Sequence, residues 1–169
     1  GLPLEGRIAT RTFSISSAPA RRDGCITITV KARAEGRVSR ALVRDVKVGS
    51  YLTISQPEGD FVLPEVLPER LGFLTAGSGI TPVMAMLRTL ALGGDMPDVA
   101  HVHYVRNARD LIFGSELRAL SAAHPRYRLT LVHTERDPRR FSRERLDELV
   151  PDWRERETWA SGPEGLLEA

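Results

Sequence analysis

Three groups of residues in this 169-residue chain have the types and spacing to do chemistry. The first is Gly77-Ser-Gly-Ile-Thr-Pro82, which follows the apolar run Leu71-Gly-Phe-Leu-Thr-Ala76 and opens a helical pattern. A helix N-terminus offers unpaired N–H groups and the positive end of a dipole, and glycines there let the backbone approach a pyrophosphate closely. Gly77, Gly79 and Thr81 are therefore candidates for holding a dinucleotide, with a tight structural turn as the other reading. Thr81 is expected to cap the helix and Pro82 to take its first position, where the missing N–H does no harm. The loop ends in proline where G-x-G-x-x-G has glycine, and it lacks the Lys-Ser/Thr ending of a nucleoside-triphosphatase loop. Ala76 and Ile80 flank Ser78 where a hydrolase nucleophile elbow needs glycines.

The second group is basic. The strand-like run Val99 to Val105 ends in Arg106-Asn107, with Arg109 following, where an NAD site usually carries an acidic residue for the ribose diol. Positive charge there suits a 2′-phosphate, so NADPH is favoured over NADH. Arg136, after a later strand, is a second candidate clamp. The competing reading makes Arg106 and Arg109 solvated surface residues, and Arg139, Arg140, Arg143 and Arg145 read as a solvated face. Of 24 basic residues only Lys31 and Lys47 are not arginine. A base-composition bias explains such an excess, so each arginine is argued singly. The third group is His101 and His103. They share a strand face by period two, but no cysteine or carboxylate joins them at ligand spacing, so they read as packed residues and no metal site is expected.

Composition narrows the classes further. A net charge of +2 gives no nucleic-acid tail, and 41% hydrophobic with 27% charged residues is ordinary for a globular chain with a sizeable core. One cysteine excludes an intrachain disulfide and a four-cysteine zinc or iron–sulfur site. Cys25 is expected to pack within a strand. No apolar stretch is long enough to span a bilayer and the start is no signal peptide, so the expected location is the cytoplasm.

Two sets of elements must position these groups. From Arg7 to about Phe61 the chain alternates, in Arg11–Ser16, Cys25–Lys31 and Tyr51–Ser55, with a short helix over Ser39 to Asp45. After Pro57-Glu-Gly-Asp60 the period changes. Strands are expected at Leu71–Ala76, Val99–Val105, Tyr127–His133 and Thr158–Ala160. Helices fall between them: one from Thr81 to Gly93, one over Ser115–Ala123, and one capped by Ser142 and carrying Leu146 and Leu149. Pro163 starts a last one. This alternation predicts a parallel sheet covered by helices. The boundary lies near Pro64 to Arg70, giving domains 1–66 and 67–169.

Arg11-Thr-Phe-Ser-Ile-Ser-Ser17 fits R-x-[YF]-S-x-x-S, and together with the proline-ended glycine loop it resembles the ferredoxin–NADP reductase superfamily. More narrowly, it resembles the bacterial flavin reductases that feed oxygenases and desaturases. Gly36-Arg-Val-Ser39 matches G-x-x-S, Pro57-Glu-Gly-Asp-Phe61 matches P-x-G-x-F, and Tyr104 to Phe113 resembles a nicotinamide-domain segment. Ser161-Gly-Pro163 stands where the family usually has Cys-Gly-Pro. The likeness runs over nearly the whole chain. It implies a partial antiparallel FAD-binding β-barrel followed by a Rossmann-like NAD(P)-binding domain, shortened at both outer ends. It also implies FAD and NADPH or NADH as cofactors, and a ferredoxin or other iron–sulfur acceptor, on a missing extension or a partner. Arg11 would pair with the FAD pyrophosphate, Phe13 would lie against the isoalloxazine and Ser14 would hydrogen-bond near the flavin N5. Ser17 belongs to the same motif, Val30 and Lys31 would flank the FAD, and Gly36, Val38 and Ser39 would hold its pyrophosphate. Gly77, Gly79, Thr81 and Pro82 would bind the NAD(P) pyrophosphate, and Ser161, Gly162 and Pro163 would lie beside the nicotinamide. Serine in place of the family's thiol loses polarisability and is expected to slow hydride transfer. The second class of function is a non-catalytic nucleotide-binding or electron-transfer subunit of a larger complex.

Overall fold

The computed structural model describes residues 1–4 and 6–169. Among them, the N-terminal half holds an antiparallel pair, β1 (Leu2–Leu4) and β2 (Arg7–Ala9), and one amphipathic helix, α1 (Arg37–Arg44), with Val38, Ser39 and Ala41 buried. The alternating runs Arg11–Ser16, Cys25–Lys31 and Tyr51–Ser55 do not form regular strands; a lone antiparallel bridge joins Ile15 to Ile28. Alternation specifies two faces, but a strand also needs a neighbour for its N–H and C=O groups. Here the neighbours are side chains in part. Ser16 Oγ bonds the Thr27 carbonyl (3.2 Å) and Thr29 Oγ1 (2.9 Å), and Ser17 Oγ accepts the Thr27 N–H (2.9 Å). Cys25 is an exposed free thiol rather than a packed one, because its run has no covering layer.

The C-terminal half matches its sequence pattern closely. β3 (Arg70–Ala76), β4 (Asp98–Val105), β5 (Tyr127–His133) and β6 (Glu157–Ser161) form one parallel sheet in the order β5-β4-β3-β6. Each inner strand is apolar on both sides because helices cover both. On one face α2 (Ile80–Gly93) and α3 (Gly114–Ala123) bury Val83, Met84, Leu87 and Leu117 against Leu71, Phe73 and Val99. On the other, α4 (Arg143–Leu149) and α5 (Glu164–Leu167) bring Leu146 and Leu166 against Leu74, Val102 and Val132. Gly94, at φ 80°, ends α2 in the left-handed conformation that glycine adopts without a Cβ penalty. Ser142 caps α4 as its sequence predicts, its side chain accepting the Arg145 N–H at 3.2 Å.

The halves meet along Lys31 and along Arg88 and Trp159, two side chains the sequence did not single out. On α2, Arg88 donates to the Ser16 carbonyl and forms two parallel bonds with Glu116 of α3 (2.8 and 2.7 Å). Lys31 Nζ reaches Asp110 Oδ1 at 2.9 Å, and Trp159 Nε1 donates to the Val62 carbonyl at 3.2 Å.

Candidate functional site

The order β5-β4-β3-β6 fixes where a ligand crevice can form. From β3 the chain builds outward through β4 and β5 on one side, then returns to place β6 on the other. The helices that follow β3 and β6, α2 and α5, cover opposite faces of the sheet, and in open parallel sheets that switch point is where ligands bind. The two segments at this point are Gly77–Gly79, a 3₁₀ turn leading into α2, and Ser161-Gly162-Pro163 leading into α5.

These segments touch. A Cβ built on Gly79 would stand 2.2 Å from the Ser161 carbonyl oxygen and 2.7 Å from the Gly162 nitrogen. Any side chain at 79 would drive the loops apart. Gly162 is similarly tight, with a Cβ position 2.7 Å from Leu166 Cδ2 and 3.2 Å from Ala76 Cβ. Gly77 serves the other need: it adopts φ 53°, with nothing within 4 Å of its Cβ position.

Thr81 is not the helix cap that its sequence position suggests. The N-cap is Gly79, and Thr81 Oγ1 instead donates back to the Ser78 carbonyl at 3.0 Å. Pro82 is consequently the third helical residue, still within the first turn. Among the described residues no side chain caps α2; its Ile80 N–H turns back to the Ser78 carbonyl and Pro82 has none, so an anion at this helix start is met by fewer N–H groups than at an ordinary helix. α1 has the same character, with Gly36 as N-cap and no side-chain cap among the described residues. The Ser39 hydroxyl donates to the Gly36 carbonyl (3.1 Å) and accepts the Arg33 N–H (3.2 Å), so it closes the turn rather than facing outward. A Cβ at Gly36 would meet that hydroxyl at 2.3 Å.

The remaining flavin-motif residues separate by exposure. Arg11 and Ser14 are exposed, Phe13 and Val30 are half-buried, and Val38 and Ser17 are buried. Arg11 Nη1 bonds the neighbouring Thr10 carbonyl, which leaves the rest of its guanidinium facing outward. Ser17 is committed to Thr27 and Lys31 to Asp110. The glycine turn at the switch point, two helix starts without a side-chain cap among the described residues and an outward guanidinium fit a pyrophosphate-bearing nucleotide.

Of the basic candidates, Arg106 is paired with Glu135 at 3.0 Å, and Asn107 donates to the same carboxylate oxygen. Glu135, adjacent to Arg136, is an acidic partner that the run of basic residues around it conceals in the sequence. Arg136 is exposed. Arg145 is not part of a solvated face: it is largely buried and paired with Asp137 (2.8 Å) and with Glu148. With Arg139 bonded to it, the Asp137 carboxyl is held down at about 2.

Beneath the crevice the sheet register sets Thr75 between His103 and Ser161. Thr75 Oγ1 bonds both His101 Nε2 (2.8 Å) and His103 Nδ1 (2.7 Å), and His101 Nδ1 bonds the Tyr127 hydroxyl at 2.9 Å. One threonine proton cannot serve two histidine acceptors, so one imidazole must donate to it. A single run satisfies the tyrosine too: Tyr127 donates to His101, His101 to Thr75 and Thr75 to His103. Both rings are then neutral, as burial demands. Burial lowers His101 to about 3, with the His103 charge adding to the effect; burial, then His133, lowers His103 to about 4. The unfolded rings bind protons near pH 6.5 while the folded ones do not. Stability is therefore full above about pH 6.5 and falls as the pH drops toward 4. Denaturant titrations at pH 7.5 and 5 are expected to show lower stability at pH 5, with the difference reduced in His103→Gln. Equal stability at both would contradict the buried neutral assignment.

Comparisons with known proteins converge on this layout. An oxidoreductase FAD-binding domain model matches residues 2–63, and an oxidoreductase NAD-binding domain model matches residues 73–158. The chain is 49% identical, over 99% of its length and 44% of the relative, to an NADPH oxidoreductase of Mycobacterium tuberculosis. It is 32% identical, over 99% of its length and 48% of the relative, to a glycine betaine monooxygenase reductase subunit of Chromohalobacter salexigens. Among solved structures, the FAD/NAD-binding domain of a Vibrio cholerae nitric oxide dioxygenase matches with a TM-score of 0.65 and 29% identity, covering 73% of this chain and 52% of that one. The chain spans about half the length of the relatives it matches.

Proposed function

From the premise that the chain belongs to the ferredoxin–NADP reductase superfamily, we propose that it is an FAD-dependent NAD(P)H oxidoreductase, or part of one, serving an iron–sulfur acceptor. The acceptor would be a ferredoxin or an iron–sulfur domain of an oxygenase or desaturase system, as the relatives' names suggest. The observation that carries the reading is the contact of Gly79 with the Ser161–Gly162 peptide at the switch point. We assign residues 1–66 to the FAD-binding domain and 67–169 to the NAD(P)-binding domain.

When bound, FAD would supply the capacity to take two electrons from NAD(P)H as a hydride and release them one at a time. The chain's own residues bind, orient and exclude water. The N–H groups at the start of α2, with Gly77, Gly79, Thr81 and Pro82 shaping the loop, would hold the nicotinamide dinucleotide's pyrophosphate. Arg11 would pair with the flavin pyrophosphate through its permanently charged fork, supported by the N–H groups near Gly36 and Val38. Phe13 would cover the flavin ring, and Ser14 would offer its hydroxyl as a hydrogen-bond donor to the ring. Ser161, Gly162 and Pro163 would line the nicotinamide side. Val30 and Lys31 would flank the flavin. Ser17 and Ser39 would act from inside, by holding the turns that aim these groups.

NADPH is the favoured donor. Arg136 is exposed, Arg106 carries a partner that a 2′-phosphate could displace, and the relative at 49% identity is named for NADPH. Stopped-flow reduction with NADPH and NADH in parallel tests this, and a preference for NADH would reverse it. Ser161→Cys is expected to raise the flavin reduction rate severalfold, since sulfur is the more polarisable neighbour; an unchanged rate would remove Ser161 from the catalytic assignment.

The alternative, a nucleotide-binding subunit without turnover, is favoured by the sparse ladder of residues 10–60. It predicts bound nucleotide and no flavin bleaching.

A further inference from the structure

Arg88 makes three kinds of contact at once. Its Nε and Nη2 form parallel bonds to the Glu116 carboxylate at 2.8 and 2.7 Å, its Nη1 donates to the Ser16 carbonyl, and its guanidinium lies 5.1 Å from the centre of the Phe113 ring. Glu116 and Phe113 both belong to the start of α3, while Ser16 sits inside the Arg11–Ser17 motif, 72 residues before Arg88. Among the described residues Phe113 is the one non-glycine residue with positive φ, at 58°. A bulky side chain held in the left-handed region is strained and persists where its surroundings fix it. Here the strained turn places the ring under Arg88 and starts α3 with Glu116 in reach. Asp110, just upstream, makes the second tie, to Lys31. The same stretch, 107–116, thus reaches the flavin-motif half directly through Asp110 and indirectly through Arg88.

We propose that Arg88, oriented by Glu116 and Phe113, is a positioning residue that docks the Arg11–Ser17 segment on the nicotinamide domain and so sets the approach of nicotinamide to flavin. This rests on the oxidoreductase reading above. A guanidinium suits the task. Its planar fork occupies both carboxylate oxygens and still has a nitrogen for Ser16, which an ammonium on a flexible stem does not match. The pair is partly shielded, with side-chain exposures of 25% and 38%, so salt screens it incompletely. Hydride transfer is sensitive to small errors of alignment: a displacement near 1 Å costs about 100-fold.

The test compares wild type with Arg88→Met, Arg88→Lys and Glu116→Gln in the full 169-residue chain. Two readouts are taken: reduction of added FAD by NADPH, and amide hydrogen exchange without any cofactor. Arg88→Met is expected to lower the saturating reduction rate by roughly 10- to 100-fold with KM changed less than about threefold. Arg88→Lys should restore part of the rate, and Glu116→Gln should fall between Arg88→Lys and wild type. Peptides spanning residues 13–18 should exchange faster in Arg88→Met, while those of β3, β4 and β5 keep their protection. A wild-type rate with unchanged exchange at 13–18 would overturn the proposal, as would equal loosening of the whole sheet. If Arg88→Met does not fold, the two milder variants decide by the same criteria. A wild-type chain that NADPH does not reduce would sink the oxidoreductase reading instead, and the exchange measurement would still decide the docking.

Discussion

Gly79→Ala is expected to destabilise the chain by roughly 1–3 kcal/mol and to weaken NADPH binding at least tenfold. The new methyl would stand 2.2 Å from the Ser161 oxygen, 2.5 Å from its carbonyl carbon and 2.7 Å from the Gly162 nitrogen. All three are backbone atoms of β6 and its exit, and β6 is tied to β3 by a parallel ladder from Leu71↔Glu157 to Thr75↔Ser161. No flexible side chain can swing away to make room. Either the glycine turn or the Ser161-Gly162-Pro163 segment must shift, and both lie at the switch point. Gly77→Ala is the control. It places a Cβ in open space and meets only the left-handed strain of φ 53°, about 1–2 kcal/mol, without prying the two loops apart. Denaturant unfolding and NADPH titration of both variants separate the effects. Equal binding losses at 77 and 79 would contradict the assignment of Gly79 to close contact.

The second large effect belongs to the opposite end of the sheet. Arg156 has a side chain with no exposure, and its guanidinium bonds Asp98 (3.0 Å), Asp152 (2.6 Å) and the backbone carbonyls of Leu71 and Asp98 (3.2 and 2.9 Å). It thus fastens the amino-terminal ends of β3 and β4 to the start of β6. Arg156→Leu would leave two carboxylates without their buried partner and two carbonyls short of a donor. Breaking such a pair from one side costs about 3–5 kcal/mol. The lower end applies here, because Asp98 and Asp152 keep about a third of their side chains exposed and can be rehydrated. Arg128→Leu, removing an exposed partner of the same Asp98, should cost about 1 kcal/mol or less. Denaturant midpoints check the contrast, and comparable losses from the two substitutions would contradict it.

Arg156 and the domain-bridging Arg88 mark where the sequence pattern stops being informative. In a chain whose basic residues are nearly all arginine, nothing in the local pattern distinguishes Arg156 and Arg88 from solvated neighbours. Asp152 stands only four residues before Arg156, but the other decisive partners are distant in sequence: Asp98 lies 58 residues from Arg156, and Ser16 lies 72 from Arg88. The parallel sheet was legible because its inner strands, β3 and β4, are largely apolar runs that follow Pro68 and Pro97, and the helices between keep one buried face. Tyr127–His133 coincides with its predicted bounds, and Ser142 caps α4 as expected. The N-terminal runs carried equally clear alternation, yet pairing depends on a neighbour that alternation does not name. The glycine loop was located correctly and its cap was not. Thr81 is a good capping residue by type, but a 3₁₀ turn starts the helix earlier and turns its hydroxyl toward Ser78. His101 and His103 were placed on one face by period two, while the threonine joining them comes from another strand.

The account turns on whether this chain brings flavin and nicotinamide together. The most direct measurement is the visible spectrum of the purified chain supplied with FAD, recorded anaerobically before and after NADPH. The expected result is the visible absorbance of protein-bound oxidised flavin, which bleaches on addition of NADPH and returns with oxygen. A chain that retains no FAD, or one whose bound flavin keeps its colour under NADPH, would contradict it.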